Sequence, residues 1–120
     1  MRSVTSIACA VSLSLFAAPA QAQSFEAVTT RDAFVAAVSG RALTRLGITL
    51  SVAPNGEIKG RAFGSPVTGA WNWQGGYFCR DLYWGADRLD PNCQTVKISG
   101  DTIRFISDQG KGRGADLTVK

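Results

Sequence analysis

The chain has 120 residues and no histidine, and 45% of its residues are hydrophobic. Because histidine is absent, Ser-His-Asp and Cys-His catalysis and the usual histidine-bearing zinc sites are excluded. A count of 13 Lys and Arg against 9 Asp and Glu gives a formal net charge of +4. The basic residues are scattered along the chain rather than gathered in one stretch, so they predict a solvated surface and no nucleic-acid partner.

The N-terminal residues have the pattern of a secretory signal peptide. A positive N-terminus precedes an apolar run over residues 7–18, and a small-x-small cleavage site follows at 20–22. The apolar run is shorter than the ~20 residues that a membrane anchor needs. The sequence therefore predicts a cleaved signal over residues 1–22 and a single domain over residues 23–120. That domain would have no membrane span and would be periplasmic or secreted.

Two cysteines remain in the predicted mature chain, Cys79 and Cys93, because Cys9 lies in the signal. In a chain bound for an oxidising compartment, such a pair predicts a disulfide bond. Closing a loop of about 15 residues stabilises a domain by ~3 kcal/mol. This is a large share of the ~5–15 kcal/mol that separates folded from unfolded chains.

The periodicity of apolar residues predicts one helix followed by strands. Residues 29–40 show helical spacing, with Thr30 placed as the N-cap and Gly40 at the C-terminal cap. After Gly40 the apolar period changes to two, as in half-buried strands. Strands are predicted over 46–52, 57–63, 67–73, 77–83, 94–99, 102–107 and 115–119.

The expected fold class is α+β and mainly β. A short N-terminal helix would pack on a meandering antiparallel sheet of about six or seven strands, which could curl into a partial barrel. In the first predicted strand, Leu46 is expected to face the same side as Ile48, Leu50 and Val52.

Two segments between the strands are expected to be irregular. Residues 84–92 form a loop that the disulfide would hold at both ends. Residues 108–114 are glycine-rich and basic, but they lack the glycine spacing of a phosphate-binding loop. The sequence therefore predicts a flexible hairpin loop there, and it predicts neither a cofactor nor a metal.

The aromatic residues between positions 69 and 93 are the strongest candidates for function. Trp71, Trp73 and Phe78 are expected to pack in the core, whereas Tyr83 and Trp84 precede a polar loop and should be partly exposed. Partly exposed aromatic residues beside a fixed loop are typical of binding surfaces. The predicted recognition surface consists of Arg80, Tyr83, Trp84, Arg88 and Asn92.

Three carboxylates, Asp81, Asp87 and Asp90, lie close together in the same stretch. A glycosidase needs two carboxylates about 5–10 Å apart in a cleft, and the neighbouring aromatic residues could stack on a sugar. An enzyme acting on envelope glycans is therefore the alternative hypothesis. Surface ion pairs with the interleaved arginines explain the arrangement equally well, so we assign no catalytic residue.

Residues 69–80, Gly-Ala-Trp-Asn-Trp-Gln-Gly-Gly-Tyr-Phe-Cys-Arg, resemble a segment of small uncharacterised secreted proteins of Gram-negative bacteria. That group shares a signal peptide, a Gly-x-Trp-x-Trp segment leading to Cys-Arg, a second cysteine and a glycine-broken C-terminal strand. Some of its members carry the label dihydrodipicolinate reductase. That enzyme needs a dinucleotide-binding βαβ unit with a glycine fingerprint, which this sequence lacks, so we expect no such activity. The Gly-x-Trp element also resembles small calycin-like barrels and bacterial inhibitors of proteases or lysozyme.

These observations predict an exported, non-enzymatic binding module. Its expected partner is a protein, which it would inhibit, or an anionic component of the cell envelope. A carrier of small ligands would need an open apolar cavity inside the sheet. Trp71 and Trp73 are expected to fill that space.

Overall fold

The computed structural model describes residues 24–120, together with the isolated positions 3, 10 and 12. The predicted signal peptide and its cleavage site therefore lie outside the described residues, apart from those three positions. Within the described part of the chain, no helix combines the length and the apolar character needed to span a membrane.

The described residues form ten strands and two short helices. The strands are β1 (Glu26–Val28), β2 (Leu43–Arg45), β3 (Ile48–Val52), β4 (Glu57–Ala62), β5 (Ser65–Gln74), β6 (Tyr77–Trp84), β7 (Asp87–Arg88), β8 (Asn92–Ser99), β9 (Thr102–Ile106) and β10 (Gly114–Val119). The helices are α1 (Arg31–Val38) and the single turn α2 (Ser107–Gly110).

Eight of these strands close into an antiparallel barrel. The order around the wall is β8-β9-β10-β2-β3-β4-β5-β6, and β6 pairs again with β8 to complete the circle. Strand β1 adds to β8, and the two-residue strand β7 adds to β6. Short turns join most consecutive strands, which explains why neighbours in sequence are mostly neighbours in the wall.

The prediction of a mainly β, antiparallel fold is confirmed, but two parts of it are wrong. The helix is not N-terminal, because strand β1 precedes it and pairs with β8. The sheet is also larger than predicted and closes completely instead of partly. Closure depends on the pairing of β6 with β8, a long-range contact that local periodicity does not contain.

The helix α1 closes one end of the barrel. Thr30 caps it as predicted, because its hydroxyl accepts a hydrogen bond from the Ala33 amide at 3.2 Å. Gly40 has a positive φ of 69° just after the helix, the left-handed conformation that commonly ends helices. Phe34 and Val38 point into the barrel and are almost completely buried.

Phe34 is the centre of an aromatic cluster at this closed end. Its ring centroid lies 5.0 Å from that of Phe78, 5.1 Å from Trp71 and 5.3 Å from Trp73. Such distances are those of favourable aromatic pairs. Trp71 and Phe78 are buried as predicted, and Trp73 is half-buried against the same core. We call this the closed end of the barrel.

The opposite end, which we call the mouth, carries the turns at residues 46–47, 63–64 and 85–86. The predicted strand 46–52 was wrong here, because Leu46 lies in the β2–β3 turn and is 94% exposed. Gly47 supplies the positive φ of 77° that this turn requires. The alternation of apolar and polar residues could not reveal this break. Leu46 is two positions before Ile48, so the apolar spacing of two continues unchanged through the turn.

The two segments predicted to be irregular are ordered by long-range contacts. Residues 84–92 include β7, and the Leu89 amide donates to the Leu82 carbonyl at 2.9 Å. In the glycine-rich segment, Asp108 and Gln109 both have positive φ within the α2 turn. Asn92 holds this turn, because its side chain exchanges hydrogen bonds with Asp108 at 2.7 and 2.9 Å.

The predicted disulfide is confirmed, and it lies where the barrel closes. Cys79 and Cys93 are directly opposite each other in the β6–β8 pairing and are bonded. This pairing has three registered pairs, and the disulfide is the middle one. The two sulfur atoms lie on the outer face of the wall, so the closure does not displace core residues.

The first testable prediction concerns this closure. Replacing both cysteines, Cys79→Ala with Cys93→Ala, should lower the free energy of unfolding by about 3 kcal/mol, because the unfolded chain regains loop entropy. Urea denaturation of the two proteins measures the difference. Before reduction, an alkylating reagent should label neither cysteine of the exported wild-type protein; two labels per molecule would contradict the disulfide.

The second prediction concerns the aromatic cluster. Phe34→Ala should destabilise the protein by about 3–5 kcal/mol, because it leaves a cavity among packed rings. Leu46→Ala removes an apolar side chain that is exposed, and it should change the stability by less than about 0.5 kcal/mol. Equal losses in urea denaturation for the two variants would contradict the role given to Phe34.

Candidate functional site

The structure divides the five predicted site residues between two places. Tyr83 and Trp84 lie at the mouth and are each 41% exposed. Arg88 lies opposite Tyr83 in the β6–β7 pairing, whereas Arg80 and Asn92 lie opposite each other beside the disulfide. The polar groups of these three residues are engaged within the protein. Three of the five predicted residues therefore lie together at the mouth, and the other two lie beside the disulfide.

The Trp84 side chain is held in a fixed position at the end of β6. Its indole Nε1 donates to the Ala62 carbonyl at 2.8 Å, and this bond reaches from β6 to β4, two strands away in the wall. The polar atom of the ring is satisfied by the protein, so the rest of the ring is available as an apolar surface. Such a preorganised aromatic side chain is suited to binding.

Beside Trp84 the inner face of the wall forms a concave surface of about 330 Å³, which we call the apolar cleft. All its lining residues are aliphatic or aromatic, and the Tyr83 hydroxyl and the Trp84 Nε1 are the polar side-chain groups among them. They are Ile48, Leu50, Ala62, Phe63, Val67, Leu82, Tyr83, Trp84 and Leu89.

Small residues on two neighbouring strands create the cleft. Gly60 and Ala62 alternate along β4 and face inward beside Val67 of β5. A Cβ atom at Gly60 would collide with Leu50, and one at Gly69 would collide with Leu82. Because these two glycines have no side chain, Leu50 and Leu82 can lie directly against them. The surface of the cleft between the two leucines is therefore shallow.

Phe63 is the site residue that the sequence interpretation missed most clearly. It was assigned to the end of a strand, but it lies in the β4–β5 turn and is 69% exposed. Its φ of 50° is in the left-handed region, which a bulky side chain rarely occupies. The dipeptide Phe63-Gly64 was the available signal, because two-residue hairpin turns usually take Asn or Gly at this position.

Leu89 was not singled out, because residues 84–92 were expected to be an irregular loop held at both ends by the disulfide. The hydrogen bond from its amide to Leu82 places it at the cleft beside Tyr83. Together with Phe63 and Trp84, it gives the mouth a contiguous exposed apolar surface. Large exposed apolar patches on small domains usually mark sites of interaction.

Arg88 is bound to Asp81 instead of pointing to a partner. Its Nε and Nη2 atoms donate to the two carboxylate oxygens at 3.1 and 2.9 Å. This hydrogen-bonded pairing lowers the pKa of Asp81 and raises the pKa of Arg88. Both side chains are solvent-accessible, so the pair adds little to stability.

Arg80 and Asn92 are half-buried beside the disulfide. The Arg80 guanidinium donates to the Asp90 carbonyl at 2.6 Å, and burial lowers the pKa of Arg80 against the opposing effect of nearby carboxylates. Asn92 holds the α2 turn through Asp108. These contacts give both residues a structural role within the protein.

A second depression, of about 350 Å³, lies on the outer face around the disulfide. Its lining includes Asp81 with Arg80 and Asn92, while Asp87 and Asp90 lie outside it. A general acid in a glycosidase needs a raised pKa, whereas the pKa of Asp81 is lowered by Arg88. The alternative hypothesis of a glycan-acting enzyme gains no support from this arrangement.

Comparison with known proteins gave no relative for this chain. No family model, no curated protein and no solved structure matches it. Within residues 24–120, no three His, Cys, Asp or Glu side chains are grouped so as to hold a metal ion. The site must therefore be interpreted from its own geometry.

The third prediction concerns the pH dependence of stability. Because the folded-state pKa of Asp81 lies below its ordinary value of 3.8, its pairing with Arg88 stabilises the protein above that value. This contribution should disappear as the pH falls through the lower folded-state pKa. Wild type should therefore be slightly more stable than Asp81→Asn at pH 7, and the difference should vanish in strong acid.

Urea denaturation at a series of pH values measures this difference. Arg88→Gln should cause the same loss at pH 7, and the double variant should lose no more than either single variant. A difference between wild type and Asp81→Asn that stays constant down to strong acid would contradict the ion pair.

Proposed function

We propose that this protein is an exported, non-catalytic binding domain that uses the mouth of its barrel to hold an apolar part of another molecule. The observation that carries the proposal is the apolar cleft with its exposed rim of Phe63, Tyr83, Trp84 and Leu89. Small-molecule and partner sites are typically concave, mostly apolar and largely preformed. Its partner is a component of the envelope or a protein that the domain inhibits.

The conformation of Phe63 supports this proposal. Folding alone favours Gly or Asn at a hairpin position with positive φ, because a Cβ atom is disfavoured there. An exposed phenylalanine at this position satisfies no requirement of the turn, although its ring also covers Gly47. Backbone positions that conflict with local preference are concentrated at functional sites.

The disulfide supports the location. Disulfides form and persist in the periplasm and outside the cell, and they are rare in the cytosol of most organisms. Cys79 and Cys93 are joined at the barrel closure, which agrees with an exported protein. The signal peptide proposed from the sequence would direct this export.

The fourth prediction tests the mouth as the binding surface. The full chain is expressed in a Gram-negative host with the photo-reactive residue p-benzoylphenylalanine at Phe63, and the periplasm is illuminated. A discrete crosslinked product should form. The same residue placed at Asp101, an exposed turn position at the closed end, should give no product.

Two further variants control this experiment. Trp84→Ala combined with the probe at position 63 should abolish the product, because one wall of the cleft is removed. Phe63→Gly should cost less than about 1 kcal/mol of stability, since glycine relieves the disfavoured φ. Equal products from positions 63 and 101, or none from either, would contradict a macromolecular partner bound at this surface.

A further inference from the structure

We propose that the apolar cleft binds one molecule of an anionic single-chain amphiphile, such as a fatty acid, with its chain in the cleft and its head group at Arg61. This inference rests on the proposed function and names the class of ligand. It follows from the size of the cleft, from its lining and from the charges around its rim.

The size of the cleft fits a single chain. At about 30 Å³ for each water-sized group, a volume of 330 Å³ has room for a chain of about ten methylene groups. The volume is at the lower end of the ~300–1,000 Å³ typical of small-molecule sites. A stable protein–protein contact usually needs about 20–30 residues on each side, far more than the lining of this cleft.

The lining offers nothing polar to a ligand except at the rim. The Trp84 Nε1 is occupied by the Ala62 carbonyl, and the other lining side chains are apolar apart from the Tyr83 hydroxyl. A ligand with polar groups along its length would lose its hydrogen bonds with water and gain few in return. An aliphatic chain makes no hydrogen bonds with water and therefore loses none on entering the cleft.

The charges around the rim favour an anionic head group on the side of β3 and β4. Arg61 is exposed, and its Nη1 donates to the Gly64 carbonyl at 3.0 Å, which holds the guanidinium at the turn that carries Phe63. Arg45 lies opposite the lining residue Ile48 in the β2–β3 pairing, but it lines a neighbouring depression with Asp116, whose pKa is lowered by Arg104 and by Arg45. Among the described residues, no ion pair involves either arginine, and a guanidinium offers several donors to a carboxylate.

These arginines also argue against a second copy of the chain as the occupant. In a two-fold symmetric contact, the same patch meets itself. The contact would then include Arg61 and the neighbouring Arg45 of both copies. Like charges brought together at an interface cost several kcal/mol, whereas a carboxylate or sulfate head group would be attracted.

The test uses the full-length protein after export and measures binding by isothermal titration calorimetry. Three probes share one chain and differ in head group: dodecanoate, dodecanol and dodecyltrimethylammonium. The two ionic probes are used below their micelle-forming concentrations, and dodecanol is used below its solubility limit. Dodecanoate should bind with a stoichiometry of one and about ten-fold more tightly than the cation. Equal affinities for all three probes would overturn the assigned role of the rim.

Matched variants locate the head group and the chain. Arg61→Gln should weaken dodecanoate about ten-fold and leave dodecanol within about two-fold, and Arg61→Lys should restore part of the loss. Arg41→Gln, which removes an exposed arginine outside the mouth, should change neither affinity. Ala62→Leu fills the cleft without making it polar, and it should abolish binding of both probes.

The outcomes separate this inference from the proposed function. If dodecanoate does not bind, or binds equally well to Ala62→Leu, the amphiphile inference is overturned. The binding surface itself would still stand if the probe at Phe63 continued to form its crosslinked product. Loss of that product together with intact dodecanoate binding would instead overturn the proposed macromolecular partner and leave the amphiphile as the ligand.

Discussion

The pairing of β6 with β8 is the constraint on which the rest of the structure depends. Strand β6 is longer than this pairing, so only its first residues belong to the closed wall. Its last residues continue past the start of β8 and pair with β7 instead. The Cys79–Cys93 disulfide fixes the register at this point. The closure of the barrel therefore also places Tyr83 and Trp84 at the mouth.

The interior of the eight-stranded barrel is filled differently at its two ends. At the closed end, Phe34 from α1 enters the ring cluster and removes the open space. At the mouth, no helix enters in the described structure, and the inward residues of β4 and β5 are small. Apolar surface therefore remains accessible there, at a cost in solvation that folding alone does not require.

Two conflicts with local preference lie at the mouth. Phe63 has a left-handed backbone conformation, and Leu46 projects into solvent from a turn. In a sequence shaped only by stability, such conflicts would be removed by simple substitutions. The two arginines first considered for recognition, Arg80 and Arg88, both donate hydrogen bonds to oxygen atoms within the protein. Arg61, which no motif singled out, is exposed beside the mouth and forms no ion pair among the described residues.

The amino-acid sequence by itself determined the local features of this protein. The Thr30 cap, the positive φ at Gly40, the alternation along each strand and the pairing of two cysteines follow from interactions between near neighbours or from simple counting. It also identified Tyr83 and Trp84 as exposed aromatic residues. Tertiary structure alone decided the closure of the barrel, the strand β1 and the apolar cleft. These depend on pairings such as β6 with β8 and on which small residues face one another, and such long-range contacts leave no periodic signal in the chain.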